Sequence, residues 1–411
     1  MKNSILIIIF SLLISSIWAQ QGCTDPKANN YNPEAIINDG SCLYDPIILE
    51  PVVMVSDLSY AVAETSGIIW YREAIWSHND SGGKPAIYKL DPEDGRLLQS
   101  IYISNATNID YEDITQDEDY IYLGDTGNNF GNRKDLCIYK INKSDIPEEG
   151  DHHVSAQRID YHYKDQNSFT IKNRRNDFDC EALSSIGDHL YLFSKNWVDG
   201  QTKCYQISKI PGNYSLEVFQ SFNVRGLITA ADYSPATRTL TLIGYENFVP
   251  FQWVFWDFEE NDFFGGNKKR VDFAHIQGAQ TEAICFKNQN EILITCEDSF
   301  YPSSLLAVDL NQILSSSKLN APLFEPFRIS LSPNVADRSV MVEIEGLKKE
   351  KFDIEIYDLT WKKVSQFSFI ENRFQDKIQV SINTSELEQG IFFMRVKEGN
   401  NIGFQKLLIT E

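Results

Sequence analysis

The 411-residue chain carries 37 basic and 58 acidic side chains, a net charge of −21, and 42% hydrophobic residues. A surface this acidic repels phosphate backbones, which excludes nucleic acid as a partner class; it favours cations, calcium being the abundant one outside cells, although solubility alone accounts for most of these carboxylates. The hydrophobic share supports packed cores in two or three domains, and 19 Tyr and 25 Phe against 4 Met point to β structure.

Residues 1–19 read as a signal peptide: Lys2 is the charged start, Ile5 to Trp18 the apolar stretch, and Ala19 the residue before the cut. No later run is long or apolar enough for a transmembrane helix, so the mature chain is expected to have no membrane span. Seven cysteines in an exported chain permit disulfides and leave one thiol over unless it pairs between chains. Residues 22–44 are rich in Asn, Asp, Gly and Pro, which is turn chemistry without a core of its own, and a Cys23–Cys42 bridge supplies the missing stability. Asp25, Asn38 and Asp39 in this unit either ligate calcium or bond to their own backbone. The segment Gly22-Cys23-Thr24-Asp25-Pro26 with Tyr31-Asn32-Pro33 and Asp39-Gly40-Ser41-Cys42 resembles a short module found near the ends of many exported Bacteroidetes proteins.

Residues 47–315 carry an internal repeat. An acidic residue, a small or acidic one and an apolar one recur at Glu64, Glu112, Glu181, Asp232 and Glu282, separated by 48, 69, 51 and 50 residues. The long second interval holds the polar stretch 164–177, read as a loop insertion. Alternating strands follow each core, first at 73–78, 120–124, 189–194, 239–245 and 291–295, then at 86–90, 136–141, 203–210, 253–258 and 305–310. A fourth strand recurs in all units but the last, where Ile48–Val55 can supply it. Four short strands about every fifty residues predict a β-propeller of five or six blades, closed so that each small sheet hides its faces and edges against its neighbours.

Residues 316–326 read as a Pro-containing linker, and 327–411 as seven short strands of an immunoglobulin-like β-sandwich. The whole chain is thus predicted to be all-β. Leu331-Ser332-Pro333-Asn334, Ile354-Glu355-Ile356-Tyr357-Asp358-Leu359, the run Ile382 to Val396 and the terminal Lys406-Leu407-Leu408-Ile409 resemble the type IX secretion sorting domain. That resemblance implies recognition of residues 327–411 by an outer-membrane translocon and a destination at the cell surface or outside the cell.

In a propeller the innermost strands line the central channel, so Glu64, Glu112, Glu181, Asp232 and Glu282 are expected to converge there. They either hold calcium or accept backbone N–H groups of the next blade as latches. A second set sits on the loops of one rim: His78, Asp80, Asp125, Asn128, Lys195, Glu246 and Glu297. Together with Gly124-Asp125-Thr126-Gly127-Asn128 and Thr229-Ala230-Ala231-Asp232, the two sets resemble phytase-like and related extracellular propellers. Two functions follow. One is a surface binding module for an unidentified extracellular ligand, with calcium in or near the channel. The other is a calcium-dependent phosphoester or ester hydrolase, for which Lys195, Arg133 and Lys134 would meet the phosphate and His78 would move the proton. No Gly-x-Ser-x-Gly, His-Glu-x-x-His or Walker pattern is present, which favours the binding module.

Overall fold

The computed structural model describes residues 20–45, 47–299, 301–315, 328–333, 335–336, 338–347, 351–357, 363–370, 377–398 and 401–410. The leader assigned to 1–19 and the linker assigned to 316–326 lie outside the described residues.

Strands such as Ala74–Asn79 and Tyr120–Asp125 are buried along almost their whole length, as a strand covered on both faces must be, whereas Val218–Asn223 is open on its outer edge. They assemble into five consecutive sheets of four antiparallel strands each, with His152–Val154 added in parallel to the edge of the first and Gly212–Leu216 to that of the second. The first is built from Thr65–Tyr71, Ala74–Asn79, Ala86–Leu90 and Leu97–Ile103; the second from Tyr111–Gln116, Tyr120–Asp125, Cys137–Asn142 and Ala156–Tyr163. The third holds Cys180–Ile186, His189–Ser194, Gln201–Ser208 and Val218–Asn223, and the fourth Leu227–Ser234, Thr239–Glu246, Val249–Trp256 and Asn267–Asp272. The fifth joins Thr281–Phe286, Glu291–Cys296 and Ser304–Asp309 to Val52–Ser56, which comes from the other end of the unit. The segment expected as one closing strand, Ile48–Val55, is in fact two. Ile47–Ile48 pairs in parallel with the fourth sheet, and Val52–Ser56 completes the fifth.

The first strands of successive sheets pack side by side, and that of the fifth packs against that of the first, so the series closes into a propeller-like ring. One apolar core fills each gap between sheets. Trp76 and Leu123 lie in the first gap, Tyr122 and Leu192 in the second, Phe193 and Phe251 in the third, Ile243 and Ile294 in the fourth, and Leu293 and Ile75 in the last. Each sheet is therefore stable only between its neighbours.

Every inner strand carries one residue more than the strand it pairs with, at the same place. The bulges hold Ser66, Glu112–Asp113, Glu181, Thr229 and Glu282. Asp113 is buried there and binds three strands together: its Oδ1 accepts the N–H of Ile114, and its Oδ2 accepts those of Leu183 (2.8 Å) and Ala231 (3.1 Å). Asp232 makes a smaller latch of the same kind, with its Oδ2 accepting Phe286 N–H at 2.8 Å.

The unit at the N-terminus is closed by the Cys23–Cys42 disulfide. Asp25 and Asp39 accept the N–H groups of Lys27 and Ser41, and Asn38 bridges Gly40 N–H to Asp257 and Asn267 of the fourth sheet, so these side chains serve turns and docking. The other five cysteines are separate buried thiols. The C-terminal residues form a three-stranded and a five-stranded sheet on one shared core that includes Val340, Val342, Ile354, Ile356, Met394 and Leu407. No helix among the described residues is long and apolar enough to cross a membrane.

Replacing Asp113 by Ala leaves two inter-sheet N–H donors without an acceptor. It is expected to cost about 2–4 kcal/mol, against about 1 kcal/mol for Asp232→Ala. Urea unfolding of the two variants measures the difference, and equal effects would remove the latch assignment.

Candidate functional site

The bulges decide which side chains meet at the mouth of the ring. A bulge turns its extra residue out of the alternation of the strand. The residue two positions before it, and the residue that faces that one at the end of the paired strand, come to the same place. In the second sheet this frame brings Asp110 and Glu112; in the third, Asp179, Glu181 and Lys195; in the fifth, Glu282 and Glu297; and in the first, Asp80. Seven carboxyl groups and one ammonium group thus share a small chamber. Oxygens of Asp80, Asp110 and Glu112 lie within 4.8 Å of one another, as do oxygens of Glu112, Asp179 and Glu181. Glu112 belongs to both sets.

Partners differ sharply across the chamber. Glu181 Oε2 accepts from Lys195 Nζ at 2.7 Å, and both side chains are buried. Asp179 accepts from Asn128 N–H (2.6 Å) and Trp197 Nε1 (2.6 Å). Glu297 accepts from Gln280 Nε2 at 3.3 Å. Glu112 is 5% exposed, and its carboxylate makes no hydrogen bond or ion pair with any described residue. Asp80 Oδ1 is likewise buried without a partner. Gly127 makes room for this arrangement: a Cβ there would stand 2.0 Å from Glu112 Oε1 and 2.4 Å from Asp110 Oδ2.

Burial raises every one of these acids, and repulsion from neighbouring carboxylates adds to it for all but Glu282. Asp80 is pushed up to about 7 by burial, then by Asp110 and Glu282, and Asp110 to about 6 by burial and Asp179. Glu112 stands well above the usual range through burial and then Glu181, and Glu297 through burial and then Glu282. Burial alone would lower the Lys195 ammonium, but the carboxylates around it, Glu181 first, hold it well above its ordinary value.

The acids singled out from sequence divide accordingly. Glu112, Glu181 and Glu282 meet in the chamber with Asp80, Lys195 and Glu297. Glu64 is exposed at its edge, near enough to raise Asp80. Asp232 lies on the far side of its bulge and latches to Phe286. His78 is fully buried in the first sheet, edge-on to Tyr111, and burial lowers it to about 4. Asp125 is neutralised by Arg133 at 2.8 Å, and Asn128 braces the same loop through Arg133 N–H and Phe178 O. Glu246 is paired with Arg270 at 2.7 Å.

Asp110 and Asp179 were not singled out; the signal for them is an acid two residues before the bulge residue, a position that Glu64 holds in the first unit. The insertion predicted at 164–177 is laid along the loop at 128–131 through Lys172 N–H to Phe130 O, Arg174 N–H to Asn129 O, and Asn176 Nδ2 to Asn128 O. It delivers Asp179 to the chamber and Arg174 to the Trp197 ring. A cavity of about 460 Å³ adjoins the chamber, walled by Arg174, Asn196, Trp197, Leu227, Tyr245 and Phe248 among others. Asn196 is buried, and its Nδ2 has no acceptor.

Residues 330–410 match the family model of the secretion system C-terminal sorting domain. This chain carries a type IX sorting domain, which implies interaction with the type IX secretion machinery and indicates export across the outer membrane. No curated protein matches the chain. Among solved structures it is similar to apo AztD from Citrobacter koseri at 11% identity and a TM-score of 0.30, covering 81% of this chain and 90% of that one. It is similar to the dihydro-heme d1 dehydrogenase NirN in complex with DHE at 10% identity and a TM-score of 0.28, covering 80% of this chain and 62% of that one. Likenesses this distant add nothing to the site, which rests on the geometry above.

The raised carboxyls fix a pH dependence. Each holds its proton in the folded chain to a higher pH than in the unfolded chain, where Asp and Glu ionise near 4. Stability is therefore greatest below about pH 4 for this set and falls as pH rises through 6 and 7, where Asp110 and Asp80 ionise. In chelator, the melting temperature is expected to drop by roughly 5 °C or more between pH 5 and 7.5. A melting temperature that rises over this window in chelator would contradict the burial of these groups as acids.

Proposed function

We propose that the chain is an exported binding module of the cell surface or external medium, whose ring mouth holds a hard divalent cation. The observation that carries this reading is Glu112, a buried carboxylate with no partner, shared by two triads of carboxylate oxygens at coordination range of one another. An isolated buried carboxylate costs several kcal/mol unless it is protonated or meets a cation. All-oxygen ligands from two or three sheets suit calcium, which tolerates irregular geometry. On this reading the ring counts as a five-bladed propeller, since five sheets and five inter-sheet cores close on themselves. The paired C-terminal sheets count as an immunoglobulin-like sandwich, and the source as a Bacteroidetes cell.

Binding is favoured over hydrolysis by what surrounds the chamber. His78 is turned into the first sheet, Ser66 Oγ donates to the Glu112 carbonyl, and Arg133 is held by Asp125 and Asp135. Lys134 lies over the Phe169 ring on the exposed loop, and Lys195 is tied to Glu181.

Titration calorimetry with calcium on the metal-free protein tests the reading. Binding is expected in the wild type, and Glu112→Gln, which keeps the shape and removes the charge, should weaken it by about 100-fold or more. Gly127→Ala should do the same by displacing the Glu112 and Asp110 oxygens. Heat of binding that is unchanged in both variants would end the assignment. Calcium-dependent, chelator-sensitive turnover of a phosphoester would replace the binding module by the hydrolase.

A further inference from the structure

The chamber offers two overlapping places for a cation, and they are not equivalent. The triad Asp80, Asp110 and Glu112 contains no basic group, and two of its side chains have unpartnered oxygens: Glu112, which is 5% exposed, and Asp80 at Oδ1. The triad Glu112, Asp179 and Glu181 already has a positive charge in it. Lys195 Nζ lies 2.7 Å from Glu181 Oε2, 5.2 Å from the centre of the Trp197 ring and 5.3 Å from that of Tyr245. An ammonium ion between two aromatic faces and a carboxylate is a filled cation site. Its walls are themselves fixed, because Trp197 Nε1 donates to Asp179 Oδ2 at 2.6 Å.

We infer that Lys195 is the resident cation of the second triad, so that the protein takes up one divalent ion, at Asp80, Asp110 and Glu112, where its acids alone would hold two. This rests on the cation reading above and gives it a count and an address. A divalent ion in the second triad would stand within a few ångströms of the Lys195 ammonium and of the ion in the first triad. Both repulsions act at close range in a buried site, where they are screened little. Lys195 has no room to leave without abandoning Glu181 and both rings. Lysine at this place in the frame thus sets stoichiometry: the equivalent residues in the other sheets are Asp80, Thr126, Tyr245 and Glu297.

The test is the number of calcium ions bound per chain, by calorimetry and by metal analysis of the dialysed protein, with circular dichroism confirming the fold. Wild type should bind one and Lys195→Met two, the second site being the one the ammonium vacates. Lys195→Arg keeps the charge and should bind one. Asp110→Asn should bind none, and Lys195→Met with Asp110→Asn should bind one. Two ions in the wild type or in Lys195→Arg, or one in a folded Lys195→Met, overturns the inference and leaves cation binding standing. No ion in the wild type removes the cation reading beneath it. Should Lys195→Met fail to fold, the wild-type and Lys195→Arg counts still decide.

Discussion

One extra residue at the same place in every inner strand is the constraint from which the site follows. Without the bulge, side chains on an inner strand would alternate between the two inter-sheet gaps. The extra residue breaks that alternation at the channel mouth and leaves one side chain per sheet with no gap to enter. Three of the five are glutamates: Glu112, Glu181 and Glu282. The ring geometry then brings them close whether or not their charges agree. The raised proton affinities follow from burial together with that enforced proximity.

Adjacent residues on the second inner strand show how differently the fold treats two acids. Asp113 and Glu112 are both buried, and both are pushed up by loss of water. Asp113 faces the amides of two neighbouring inner strands and is supplied with three N–H donors. Glu112 faces other carboxylates and is supplied with none. The first arrangement binds sheets together and has its charge solvated by the backbone. The second makes no contact that holds sheets together, and its cost is offset by keeping the proton or by meeting a cation. The latch expected of the repeated acids is made by Asp232 and, one position from Glu112, by Asp113.

Much of the ring was legible in the sequence because the repeat is one of pattern as well as residue. Alternating strands after each acidic core located the sheets, and the missing fourth strand of the last unit pointed to closure by the N-terminal segment. The site was less legible. Aligning the units on their acids placed Glu64 and Asp232 in register with Glu112, Glu181 and Glu282. Aligning them on hairpin pairing puts Ser66 and Thr229 there instead. Glu64 is two residues early and Asp232 three late, and an odd or even slip at a bulge changes what a side chain faces. Asp110 and Asp179 fall on the frame position of Glu64, so their role is visible only once pairing is known. His78 failed as a rim residue for a related reason: it lies within the paired strand and points into the sheet, while Asp80, just beyond that strand, reaches the chamber.

Lys195 has the opposite history. It stands at a frame position filled by acids in the first and fifth sheets, and its surroundings alone explain why a lysine is stable there. A buried ammonium group normally loses its proton before it gives up water. Here the surrounding carboxylates reverse that preference, and the aromatic faces of Trp197 and Tyr245 add attraction for the ammonium that does not depend on carboxylate ionisation. The side chain lowers the repulsion among Glu181, Glu282 and Glu112 without any exchangeable ion. The third sheet thereby carries a permanent counter-charge. The first and second sheets, which bring Asp80, Asp110 and Glu112, carry only the demand for one, and the chamber is polarised from an occupied side to an open side.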